Sequence, residues 1–133
     1  MFESTLLARV YYADTDALGI VYHANYLRYF EMARSESLRE RGIELPFLLT
    51  EYGIQFAVVT ATVKYHKPAR LGDQLCIVSR INKFGRASVT YQQDIYLSDK
   101  CGDLLCSAEI KLVTVDQSMR PQAVPNALKK EIT

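Results

Sequence analysis

Residues 22–42, YHANYLRYFEMARSESLRERG, decide the fold. Tyr22, Tyr26, Tyr29, Phe30, Ala33 and Ser37 recur at steps of three and four, a stripe within about 100° of arc on a 3.6-residue helix. Gly42 supplies the stop. Arg39 and Arg41 occupy the last turn, where cations suit the negative end of the helix dipole. The spacing predicts one helix from Tyr22 or Asn25 to Arg41, roughly 25 Å long. It is the only long helix the sequence offers.

On either side of it the pattern changes. Residues 5–12, TLLARVYY, read as a first strand, and residues 13–25, ADTDALGIVYHAN, as a loop of small, acidic and glycine residues. After a short connector, ELPFLLTEYG at 44–53, the period falls to 2. Val59, Ala61, Val63 and Tyr65 alternate with Thr60, Thr62, Lys64 and His66, and the turn KPARLGD ends that strand. Further strands are expected over 74–82, 87–97 and 104–115, separated by KFGR and SDKCGD. Val89, Tyr91, Gln93, Ile95 and Leu97 share one face of the fourth strand; Cys106, Ala108, Ile110 and Leu112 align on the fifth. The tail from residue 116 is polar and interrupted by proline.

Strand, helix, then four strands joined by short turns gives an α+β chain with an antiparallel sheet. Its apolar face must bury on the one long helix, so a five-stranded sheet wrapped round a central helix is expected. A second copy is the simplest cover for the remaining edge and apolar surface, which makes a homodimer or homotetramer the expected assembly. Tyr65, His66 and Tyr91 are assigned to the sheet core, and Cys76 and Cys106 to small buried positions on strands.

Composition sets the outer limits. The chain has 133 residues, enough for a single domain over 1–133 but not for a second core. Sixteen basic and fifteen acidic residues leave a formal charge of +1, which removes the general electrostatic case for nucleic acid or an anionic membrane. Three cysteines cannot all pair within the chain, and none stands at metal-ligand spacing from His23 or His66. Reduced thiols and a cytoplasmic location are expected. No run approaches the roughly 20 apolar residues of a membrane span.

The chemistry concentrates in residues 10–26, VYYADTDALGIVYHANY. Asp14 and Asp16 stand two apart among tyrosines, and a carboxylate in an aromatic setting must find hydrogen bonds or take up a proton. Gly19 marks a bend before the helix, and the N–H groups near Val21–Ala24 are helix-start donors without intrahelical acceptors. One reading makes a carboxylate attack a carbonyl carbon while those amides hold the resulting oxyanion. The other makes both aspartates turn or capping residues, the commoner use of aspartate.

At these residues the sequence resembles the hydroxybenzoyl-CoA thioesterase family of hotdog-fold proteins, most closely the bacterial acyl-CoA thioesterases associated with the Tol-Pal envelope system. The similarity is carried by residues 9–39, by VKYHKPARLGDQL at 63–75 and by VDQSMRPQAVP at 115–125. It implies a hotdog fold and hydrolysis of an acyl-CoA thioester to free acid and CoA, with no cofactor and no metal. It makes Asp16 the catalytic carboxylate, as nucleophile or general base, and places the polarising amide at His23. Asp14 is then a loop-ordering residue, and Glu31 a reserve acid on the helix. The His23 imidazole has a separate role to be determined: a proton shuttle, a water ligand, an acyl contact or an aromatic packing partner.

The same resemblance puts CoA contacts at the glycine turn, where Arg86 and Ser88 match best. Lys83 stands beside them, and Arg120 lies in the similar C-terminal segment; cations there would meet the phosphates. Tyr22 joins these as a substrate-binding residue. An acyl carrier protein is an alternative carrier of the acyl group. Two other functions compete with hydrolysis. A hydratase or dehydratase would pair His23 with Asp16 to move a proton beside the carbonyl. A non-enzymatic module would only bind acyl-CoA or the carrier protein.

Overall fold

A computed structural model describes residues 2–133. Its elements run β1 (Glu3–Arg9), α1 (Asn25–Arg39), α2 (Leu48–Tyr52), β2 (Gln55–Tyr65), β3 (Gln74–Phe84), β4 (Ser88–Leu97), β5 (Leu104–Val115) and α3 (Asn126–Glu131). All strand pairings are antiparallel and the spatial order is β1-β3-β4-β5-β2. The chain leaves one sheet edge, passes through α1, and returns along the opposite edge.

The predicted stripe packs α1. Tyr26, Tyr29, Phe30, Ala33, Ser37 and Leu38 are all buried. Facing them from the sheet are Leu75, Ile77, Ile81, Tyr91, Ile95 and Ile110. Tyr22 departs from the stripe. It precedes the first helical residue and stays 45% exposed. The helix ends as the sequence demands: Gly42 has φ +77°, with Gly42 N–H donating to Arg39 O and Ile43 N–H to Leu38 O. These paired bonds satisfy the last carbonyls, while Ile43 and Leu38 both bury beneath them.

A polar tie runs through this apolar contact. Gln93 is fully buried on β4, and its Nε2 donates to Phe30 O at 2.9 Å and to Ser79 Oγ at 2.8 Å. Its Oε1 accepts from Arg34 at 3.0 Å. The amide therefore links α1 to β3 and β4 and leaves none of its own groups idle. Gln93→Leu keeps most of the volume but strips partners from Ser79 and Arg34. It is expected to lower stability by about 2 kcal/mol in urea unfolding, since buried groups left unpaired cost that order.

Four expectations need correction. Tyr65 and His66 do not belong to the core. Among the described residues β2 is an edge strand with no neighbour beyond it, so Tyr65 is 51% exposed and His66 is exposed as well. β2 also begins at Gln55 rather than near Val59, because a register shift between Val58 and Thr60 breaks the alternation that marks a strand. β1 ends at Arg9, and the aromatic pair beyond it enters a short 3₁₀ turn, Tyr12–Asp14. The tail carries α3, which buries Leu128, and Ile132 just past its end is buried as well. Tyr91, Cys76 and Cys106 are buried as expected, and burial pushes the Cys106 thiol up to about 12.

Candidate active site

The loop between β1 and α1 separates its two aspartates by turning at residues 12–14. Asp14 faces inward and is 4% exposed. Its Oδ1 accepts from Arg28 Nη1 at 2.9 Å and its Oδ2 from the Tyr11 N–H at 2.9 Å. Its main-chain oxygen accepts from the Tyr22 N–H at 3.0 Å and from Asn25 Nδ2 at 2.9 Å. A carboxylate so engaged is structural: it ties the loop to the first turn of α1.

Asp16 is placed differently. It is half-buried and enters no ion pair among the described residues. Oδ1 accepts the Leu18 N–H at 2.8 Å, and the Gly19 N–H closes the turn onto Asp16 O at 3.0 Å, with Gly19 at φ +78°. Asp16 is thus a turn residue whose carboxylate still has lone pairs to spend. Its own N–H donates to Ile20 O at 2.9 Å, and Val21 N–H donates to Ala69 O at 2.9 Å, so the loop is clamped between the start of α1 and the turn after β2.

The four amides expected as helix-start donors, Val21 to Ala24, all precede the first helical residue and divide into two kinds. Val21 N–H and Tyr22 N–H are spent on Ala69 O and Asp14 O. Those of His23 and Ala24 meet no main-chain acceptor among the described residues. Two adjacent N–H groups at the positive end of a fifteen-residue helix are suited to a developing negative charge. Beside them lies an open groove of about 340 Å³ walled by Ile20, His23, Tyr26, Tyr65, His66 and Pro68. Asp16 is not part of that wall; it is joined to it through Ile20.

The His23 side chain is exposed. Its ring lies 4.6 Å from that of Tyr22 and 6.4 Å from that of Tyr65, and it makes no hydrogen bond to a carboxylate among the described residues. Glu31 is exposed and bonded to Ser35 Oγ at 3.0 Å, on the wall of a second groove of about 310 Å³ between α1 and β2. Sequence reasoning missed Tyr65, whose hydroxyl donates to His23 O at 2.9 Å. The available signal was its place as the last residue of a strand leading into the Lys67–Pro68 turn.

Lys83, Arg86 and Ser88 gather at the β3–β4 turn, which the Gly85 N–H closes onto Ser88 O at 2.9 Å. Lys83 and Ser88 line an open cavity of about 370 Å³, while Arg86 is exposed outside its wall. Val124 N–H donates to Arg86 O at 2.9 Å, and Arg120 lies in the exposed turn just before that pairing segment. These cations therefore share one end of the sheet. Asp16 and His23 stand at the other, where β3 begins and β2 ends. Eleven residues of β3 separate the ends, roughly 30 Å at ~3.3 Å per residue. One chain does not bring its two groups of candidate residues together.

Comparison with known proteins gives the family and the fold. The Thioesterase superfamily pattern matches residues 18–102. The acyl-CoA thioester hydrolase YbgC of Escherichia coli O6:H1 is 40% identical over 92% of this chain and 90% of its own length. The crystal structure of a probable thioesterase from Bartonella henselae superposes with a TM-score of 0.87 at 31% identity, covering 93% of this chain and all (100%) of that one. A mutant of 4-hydroxybenzoyl CoA thioesterase complexed with 4-hydroxybenzoyl CoA shares the fold, with a TM-score of 0.89 at 22% identity over 98% of this chain and 99% of that one. A five-stranded antiparallel sheet edged by β1 and β2 with a long helix packed on it is thus the hotdog arrangement, and the chain belongs to the thioesterase superfamily.

Proposed function

We propose that this protein hydrolyses acyl-CoA thioesters to free acid and CoA. The observation that carries the reading is the pair of N–H groups at His23 and Ala24 that meet no main-chain acceptor among the described residues, set beside a groove whose wall is joined through Ile20 to the loop bearing Asp16. The thioester oxygen would sit against those N–H groups. Asp16 would act on the carbonyl carbon, directly or through a water molecule. As the tetrahedral intermediate forms, negative charge moves onto that oxygen, where the helix start holds it. The C–S bond then breaks and CoA leaves as thiolate. A thiol near pKa ~8.5 departs without a general acid at sulfur. Water supplies the oxygen of the acid, either in the first attack or by opening the Asp16–acyl anhydride that direct attack leaves, so the balance is thioester plus water to acid plus thiol.

A working site requires a second copy. β2 is an unpaired edge with Val58 and Val59 each 53% exposed, so antiparallel pairing of two β2 strands would cover them. Such pairing sets Tyr65 of one chain near the Gln55 end of the other. The Gln55 end is also where β3 finishes and β4 starts, at Lys83, Arg86 and Ser88. The cations of one chain would then serve the Asp16 and His23 of the other, reaching the CoA phosphates from across the interface. An acyl carrier protein thioester could present its acyl group at the same groove.

The hydratase reading has less support, because it calls for a histidine–carboxylate pair and the His23 ring instead meets two tyrosines. A thiol-detection panel tests the proposal. Saturated acyl-CoAs of several lengths, an aromatic acyl-CoA, a carrier-protein thioester and an enoyl-CoA should give saturable thiol release on at least one member. Hydration of the enoyl substrate without free thiol would favour the hydratase. Binding without either product would favour a non-enzymatic module.

A further inference from the structure

We propose that Tyr65 is a positioning residue for the oxyanion-binding amides, acting through the His23–Ala24 peptide. This rests on the thioesterase reading above and adds a residue outside the acidic loop and the start of α1.

The first turn of α1 leaves a gap in its own hydrogen bonding. Leu27 N–H closes onto Ala24 O at 3.3 Å, so no main-chain donor meets His23 O among the described residues. The Tyr65 hydroxyl fills that place at 2.9 Å, from a strand 42 residues away. Tyr65 is itself held. Its ring packs edge-on to Tyr26 at 5.4 Å, and the buried Tyr26 hydroxyl accepts the Ala69 N–H at 3.1 Å.

A trans peptide directs its N–H opposite its C=O. Fixing His23 O against Tyr65 therefore fixes the Ala24 N–H pointing out of the helix start. A hydrogen bond accepted at the carbonyl also polarises the amide, making the N–H of the same peptide a stronger donor. The neighbouring peptide is treated alike, since Tyr22 O accepts the Asn25 N–H at 2.8 Å and leaves the His23 N–H free. The two free donors thus belong to two polarised peptides, one held by main chain and one by Tyr65. Partial burial raises the Tyr65 pKa, which keeps the phenol protonated and donating at neutral and mildly alkaline pH.

Tyr65→Phe removes only the hydroxyl and keeps the ring against Tyr26. The expected result is a kcat about 10-fold lower with KM and the inhibition constant of free CoA unchanged, less than the loss seen when a donor is deleted outright. In ¹H–¹⁵N spectra the Ala24 cross-peak should move while that of Val21, bonded to Ala69 O, stays in place. A wild-type chain that releases thiol while Tyr65→Phe keeps full kcat overturns the assignment alone. So does a loss confined to KM, which would make Tyr65 a substrate contact, or an unmoved Ala24 cross-peak. A wild-type chain inert toward every thioester overturns the hydrolase reading and this assignment with it.

Discussion

Asp16→Asn is expected to lower kcat by roughly 10³-fold or more while the protein melts within a degree or so of wild type. A carboxamide can neither attack the thioester carbon nor take a proton from water, and losses of that order follow when such a group is removed. The fold should not notice. The structural task of Asp16 is to accept the Leu18 N–H through one oxygen, and an asparagine oxygen can do the same. No ion pair is lost, because Asp16 makes none among the described residues. Binding of a CoA product or a non-hydrolysable thioester analogue should stay near the wild-type level. A variant turning over at near-wild-type rate would remove Asp16 from the chemistry.

Two neighbours make the result interpretable. Asp14→Asn is expected to lower the melting temperature, because the two oxygens of the nearly buried carboxylate accept from Arg28 and from the Tyr11 N–H, and an amide turns its NH₂ toward one of those donors. His23→Ala keeps the main-chain N–H and removes only the imidazole, so a loss of a few-fold would assign the role to the amide. A loss approaching that of Asp16→Asn would instead give the ring a part in proton transfer. Thermal melts and steady-state kinetics on the three variants separate turn, charge and amide.

The division between Asp14 and Asp16 was the least legible feature of the loop. Two carboxylates two residues apart share a side in extended chain and part in a turn, and sequence alone leaves both geometries open. The 3₁₀ turn at Tyr12–Asp14 decides it, sending one acid to Arg28 and leaving the other without a cation among the described residues. By contrast, the α1 stripe and the alternation of β3 to β5 were legible, since each buries one face and periodicity reports faces directly. Periodicity does not report whether anything covers a face. Tyr65 and His66 continue the alternation of β2, yet β2 is an edge and both side chains stand at the surface. The helix α3 escaped for another reason: six residues with one buried leucine give too short a pattern to rise above a polar tail.

An exposed edge and a divided site lead to the second large effect. If Asp16 of one chain works with Arg86 of another, two inactive variants should repair each other. Arg86→Glu reverses the charge offered to the CoA phosphates and should raise KM about 100-fold, leaving little activity at low substrate. Asp16→Asn alone is inactive at any substrate concentration. In a mixed dimer, one site combines the intact Asp16 of the Arg86→Glu chain with the intact Arg86 of the Asp16→Asn chain, and the other site carries both lesions. Random exchange makes half the dimers mixed, each with one good site of two, so about a quarter of wild-type activity should return. Exchange can be forced by co-expression or by mild unfolding and refolding of an equimolar mixture. A site built within one chain gives a different outcome, because every chain then carries a lesion and the mixture stays as inactive as its components. The roughly 30 Å between the two ends of β3 is why recovery is expected.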